Sequence, residues 1–159
     1  VTWKYLTPLT EGDLAVCKMF ASLRTAANRR NNVNRPFSTG FAEHIKNEEE
    51  GLIAEYAFCK HFNIFFDGAF GGKDVGHDCI LNGKRIDIKA IAEPHKNLIT
   101  HKHTDKSNVD IYILIYVSGV ETAIVGWVHK DDFVRDENLK SLGYGETYFM
   151  EQAKLKVWK

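Results

Sequence analysis

Apolar positions recur along this chain in two rhythms, and the switch between them divides the predicted elements. Over 11–28 and 42–61 they return every three or four residues, the stripe of an amphipathic helix. The stretch between, up to 39, is polar and Asn-rich and reads as a loop. Beyond residue 62 the spacing shortens to that of strands. Residues 63–66 read as a short strand, 76–81 and 84–91 as a hairpin, and the β-branched runs 110–117 and 120–128 as a second hairpin turning at Ser118-Gly119. Pro94 opens an irregular stretch, 96–108 is polar, 131–142 reads as a short helix ended by Gly143 and Gly145, and 147–158 supplies one or two closing strands. Together these predict an α/β fold of the α+β kind, a central mixed β-sheet flanked by helices. At 159 residues the chain has the length of one domain, read as an N-terminal helix and basic loop over 1–40, a core over 41–133 and closing elements over 134–159.

The first hairpin carries the candidate chemistry. Asn82-Gly83 between Ile80-Leu81 and Arg85-Ile86 is the signal for a two-residue type I′ turn. With that turn Leu81 faces Lys84, Ile80 faces Arg85, Cys79 faces Ile86, and Asp78 falls opposite Asp87. Opposed residues have Cβ atoms roughly 4.5–5.5 Å apart, and like charges so placed are destabilising, so folding alone gives no reason for the pair. A divalent cation does. Alternation puts Arg85, Asp87, Lys89 and Ile91 on one face and Ile86, Ile88 and Ala90 on the other. Lys89 therefore stands beside the acids and across from Gly76, whose missing side chain leaves a gap for a substrate phosphate and a water. The bland reading is a surface Asp-Lys pair worth about 0–1 kcal/mol. The second, opposed Asp argues against it.

Glu55 lies in the middle of its helix's apolar stripe, flanked by Leu52, Phe58, Cys59 and Phe62. A buried carboxylate needs a partner. Two are open: a cation shared with Asp78 and Asp87, or an edge position from which Glu55 reaches water or an Arg. Gly51, one turn earlier, suits a close backbone approach. Glu48-Glu49-Glu50 reads as a solvated first turn.

In order and spacing, Glu55 in GLIAEYAF, Asp78 in GHDC and Asp87-Ile88-Lys89 in RIDIKA resemble the PD-(D/E)XK nuclease superfamily, whose pattern is a helix with a Glu, a strand with an Asp, a hairpin and a strand reading (D/E)-x-K. The runs SNVDIYILIYV and AIVGWVHKDDF are similar to later strands of that core, so the likeness spans 43–133. His77 stands where the family's name has Pro, a position the superfamily varies. The resemblance implies a restriction-endonuclease-like core and a Mg²⁺- or Mn²⁺-dependent deoxyribonuclease, an endonuclease leaving 5′-phosphate and 3′-hydroxyl ends. It implies Asp78, Asp87, Glu55 and the backbone carbonyl of Ile88 as metal ligands, an all-oxygen set suited to those ions. Lys89 would orient or help deprotonate the attacking water and stabilise transition-state charge. Cutting a duplex implies a homodimer, although no segment marks an interface. The rival class is a noncatalytic nucleic-acid-binding module that keeps the fold. Retention of both Asp87 and Lys89 favours the enzyme.

A formal net charge of zero argues against coating nucleic acid by bulk electrostatics. Local charge differs. Arg24, Arg29, Arg30 and Arg35 crowd into LRTAANRRNNVNRPF, which suits DNA phosphates or, equally, a solvated helix end and linker. Lys102 and Lys106, with His101 and His103, suit phosphate contact beside the cleft or a solvated basic loop. Zinc is disfavoured, because Cys59 and His61 diverge by about 200° on a helix and cannot face one ion. The glycines of DGAFGGKDVG lack the spacing of a phosphate-binding loop. Cys17, Cys59 and Cys79 are odd in number and widely spaced, and no apolar leader or long apolar run accompanies them, so a reduced, soluble, cytoplasmic protein away from membranes is expected.

Overall fold

The computed structural model describes residues 2–30, 41–68, 76–143 and 145–159, the side chains of 28–30 and 41–44 excepted. Helix α1 (Glu11–Arg30) starts at a reciprocal cap, in which Thr10 Oγ1 accepts the Asp13 amide at 3.1 Å and Asp13 Oδ2 accepts the Thr10 amide at 2.7 Å. Helix α2 (Phe41–His61) ends with Lys60 and His61 against its C-terminal dipole. Asn63 follows in the left-handed region at φ 53°, while Ile64 N–H returns to the Cys59 carbonyl at 2.8 Å and Asn63 N–H to that of Lys60 at 3.3 Å. These bonds close the helix in a Schellman motif. The strand expected over 63–66 is therefore absent, because those residues serve the helix end.

Strands β1 (Lys4–Tyr5), β2 (Cys79–Leu81), β3 (Lys84–Ile91), β5 (Ile111–Ser118) and β6 (Glu121–His129) form one mixed sheet in the order β1-β6-β5-β3-β2. Only β3 and β5 run parallel. A second, antiparallel sheet joins β4 (Leu98–His101), β8 (Glu146–Met150) and β7 (Leu139–Ser141) in the order β4-β8-β7. The fold is α+β, as the pattern predicts. The second sheet is unexpected: β4 falls in the polar stretch, and the helix expected over 131–142 is one turn, α3 (Lys130–Phe133), followed by a 3₁₀ turn and β7. The strand expected to start at Gly76 begins at Cys79.

Two cores sandwich the main sheet. On one face Ile86, Ile88, Ile113 and Ile115 pack with Cys17, Ala21, Leu52, Ala54 and Phe58 of the helices. On the other, Ile91, Tyr112 and Leu114 pack with Leu98, Met150 and Phe133 of the second sheet and α3. Strand β3 thus turns its aliphatic face to the helices and the face of Asp87 and Lys89 toward the second sheet. The C-terminal segment straps β6, with Trp127 and Lys156 exchanging backbone bonds of 3.0 and 2.8 Å. Gly126 admits this strap: a Cβ there would lie 2.6 Å from Leu155 Cβ. Among the described residues no helix is long and apolar enough to cross a membrane.

Candidate active site

Asn82 at φ 51° and Gly83 at φ 74° make the tight turn, with a positive φ at both central positions. The register follows as the turn requires: Leu81 pairs with Lys84, Ile80 with Arg85 and Cys79 with Ile86. The ladder stops there, one residue short of a regular Asp78–Asp87 rung. Asp78 is instead tied on both sides of Asp87, its N–H donating to the Ile86 carbonyl at 2.8 Å and its Oδ2 accepting the Ile88 N–H at 2.6 Å. Lys89 Nζ lies 2.5 Å from Asp87 Oδ1, an oxygen that is buried and has no hydrogen bond of good angle, so the contact is an ion pair.

Electrostatics bind these groups into one cluster. Burial, then the charges of Glu55 and Asp87, push the Asp78 carboxyl well above the ordinary range, against the pull of Lys89 and the Ile88 amide. Burial opposes the Lys89 charge, but Asp87 and Asp78 outweigh it and raise the ammonium's pKa. Lys89 is consequently a cation at neutral pH. Burial drives Glu55 up to about 7 even though Arg24 lowers it. That Arg24 is the partner of Glu55: its Nη1 stands 3.5 Å from Glu55 Oε1 and 3.8 Å from Glu48 Oε2. Behind the site, Tyr112 is the parallel-strand neighbour of Asp87, and burial followed by the Asp87 charge raises its phenol.

The structure therefore brings Asp78, Asp87 and Lys89 together and leaves Glu55 within their electrostatic reach. Among the described residues, however, no group of three or more His, Cys, Asp or Glu side chains is arranged to hold a metal ion. Ile88 meets Asp78 through its N–H. Gly76, at φ 82°, abuts Asn108, whose Cβ would lie 3.3 Å from an added Cβ, and the ladder that would set Gly76 opposite Lys89 ends at Cys79–Ile86. Gly51 faces open space rather than a close neighbour.

The basic candidates fare differently. Arg24 is paired with acids, Lys102 Nζ pairs with Glu146 Oε2 at 2.8 Å, and Lys106 Nζ donates to the carbonyls of His101 (2.5 Å), Thr104 (2.5 Å) and Lys102 (3.2 Å). The side chains of Arg29 and Arg30, and all of Arg35, lie outside the described residues. Two further contributors lie beyond the predicted metal ligands. Asp110 clamps the hairpin by accepting from Arg85 N (2.9 Å), Nε (3.0 Å) and Nη2 (2.8 Å). The turn after β4 comes close enough for the charges of Asp87 and Lys89 to act on Lys106. The basic residues of that turn are legible in sequence, whereas β4 before it carries only the alternation of Leu98 and Thr100 with less buried neighbours, too short to stand out. Comparisons with protein-family models, with curated proteins and with solved structures find no match to this chain.

Proposed function

We propose that the chain is a Mg²⁺- or Mn²⁺-dependent nuclease that hydrolyses DNA phosphodiester bonds, an endonuclease of the kind its motif resembles. The observation that carries this reading is the half-buried Asp78–Asp87–Lys89 cluster, in which burial first, then the charges of Glu55 and Asp87, push the Asp78 carboxyl upward. Fold stability does not ask for such a cluster. The residues fit the ion, since Mg²⁺ needs only one or two protein carboxylates with waters and substrate phosphate, and Asp87 presents a buried oxygen without a hydrogen bond of good angle. Asp78 and Asp87 would hold it. Bound there, the cation supplies charge neutralisation at the scissile phosphate and acidifies the attacking water.

The chain's own groups do the rest. The Ile88 amide fixes Asp78 through Oδ2. Lys89, charged at neutral pH, stabilises the negative charge that grows on the phosphoryl oxygens and orients the water; it is a poor base in this state. Glu55, held by Arg24, adds negative potential from α2 and acts from outside the immediate ligand pair.

Plasmid, linear and branched DNA, and RNA, incubated with Mg²⁺ or Mn²⁺ test this. Wild type is expected to cut DNA, and Lys89→Ala or Asp87→Asn to lower the rate by about 100-fold or more. No cleavage of any substrate with either ion would replace the enzyme by the noncatalytic binding module.

A further inference from the structure

Cys17, Cys59 and Cys79 are all free thiols, and all three are buried in the core between the helices and the main sheet. Packing accounts for the first. The Cys17 thiol donates to the Leu52 carbonyl at 3.9 Å and so joins α1 to α2. The other two belong to different elements and meet each other.

Backbone geometry brings them together. Cys79 pairs with Ile86 across the hairpin, and that rung turns its side chains to the helices, where Ile86 packs with Leu52, Ala54 and Phe58. Cys59 stands one turn beyond Glu55 on α2, and its carbonyl accepts the Ile64 N–H at 2.8 Å, which fixes the helix end that presents it. The two thiols hydrogen-bond to one another. They do so at 2% exposure for Cys59 and 6% for Cys79, walled by apolar side chains. The pair also borders the acidic cluster, since the Asp78 charge acts on both thiols and that of Glu55 on Cys79. A buried thiol needs no second thiol for the sake of packing, because a free cysteine packs as a small apolar residue. Two sulfurs in mutual contact across α2 and β2 are one bond away from a crosslink of about 2.05 Å.

We propose that Cys59 and Cys79 form a dithiol modification site, which a peroxide closes to an intramolecular disulfide tying α2 to β2 behind the acidic cluster. This goes beyond the nuclease reading and does not depend on it. The peroxide oxidises one sulfur to a sulfenic acid and leaves as water. The second sulfur then displaces the hydroxyl as another water, which carries off its proton, so two thiols lose two electrons and the peroxide gains them. Burial selects a compact oxidant, and hydrogen peroxide is the probe. Because the sulfurs already touch in the native fold, the crosslink constrains the unfolded chain and raises the melting temperature.

Peptide mapping without reduction, after the full chain is treated with hydrogen peroxide and its remaining thiols are alkylated, measures the site directly. Exposed Met19 reports that the oxidant has acted. Wild type is expected to yield a Cys59–Cys79 linked peptide that dithiothreitol separates, together with a melting temperature about 5–10 °C above that of the reduced protein. Cys17→Ser should keep both the link and the rise. Cys79→Ser and Cys59→Ser should each lose both while Met19 is oxidised as in wild type. Alkylation of Cys59 and Cys79 in protein whose Met19 is fully oxidised overturns the proposal, as does a link that runs to Cys17. A melting temperature that falls on crosslinking also overturns it, because the sulfurs would then meet only by distorting the fold.

Discussion

At the residue scale, the carboxylate of Asp78 accepts the Ile88 amide and is acted on by the charges of Glu55 and Asp87, and its behaviour without a cation separates this cluster from a surface ion pair. An acid whose folded pKa is raised costs stability once the pH exceeds its unfolded value near 4. At neutral pH the cost is present. Asp78→Asn removes the charge and keeps an oxygen for the Ile88 amide, so in EDTA the variant is expected to be more stable than wild type by about 1 kcal/mol, a rise of about 2–4 °C in melting temperature. Loss of stability would mean that Asp78 serves the fold as an ordinary ion-pair partner. The turn beneath it is legible from sequence because its chemistry is local: Asn82 and Gly83 are the residues that tolerate a positive φ. Arg24 opposite Glu55 is not legible, since their meeting depends on how α1 packs on α2.

Elements meet at two places where a single side chain decides the outcome. Where the C-terminal strap crosses β6, Gly126→Ala would set a methyl 2.6 Å from Leu155 Cβ and 3.1 Å from the Lys156 carbonyl. Backbone cannot yield as a flexible side chain can. Chemical denaturation should show a loss of about 1–3 kcal/mol, and an unchanged midpoint would show that the strap is not held there. Where α1 meets α2, Asp13 receives Lys60 Nζ at 2.6 Å and Tyr56 Oη at 2.8 Å besides capping its own helix. Lys60 first, then the Thr10 amide, hold its carboxyl well below the usual range. A depressed folded pKa contributes stability above the unfolded value near 4, and that contribution disappears as pH falls through the folded one. Asp13→Asn should therefore cost about 1 kcal/mol at pH 7 and progressively less in acid, read from melting temperatures across that range. A pH-independent difference would remove the ion pair from the account.

For the whole molecule, the helices, the hairpin and the β5–β6 pair follow from apolar rhythm, because each is built from neighbours in sequence. The second sheet does not. Strand β4 pairs with β8, about fifty residues later, and its four residues carry too short a pattern to outweigh the polar surroundings. That sheet nonetheless walls the face bearing Asp87 and Lys89, so the candidate ligands are legible while their surroundings are not. Asn63 shows the converse, a residue read as strand that closes a helix. The central claim is that Asp78 and Asp87 jointly hold a divalent cation beside Lys89. Anomalous diffraction from crystals soaked in Mn²⁺ tests it most directly: the account predicts a peak ligated by both carboxylates, within about 2.0–2.3 Å of an oxygen of each. A saturating soak that leaves no peak between them, or places it on one acid or elsewhere, contradicts the account.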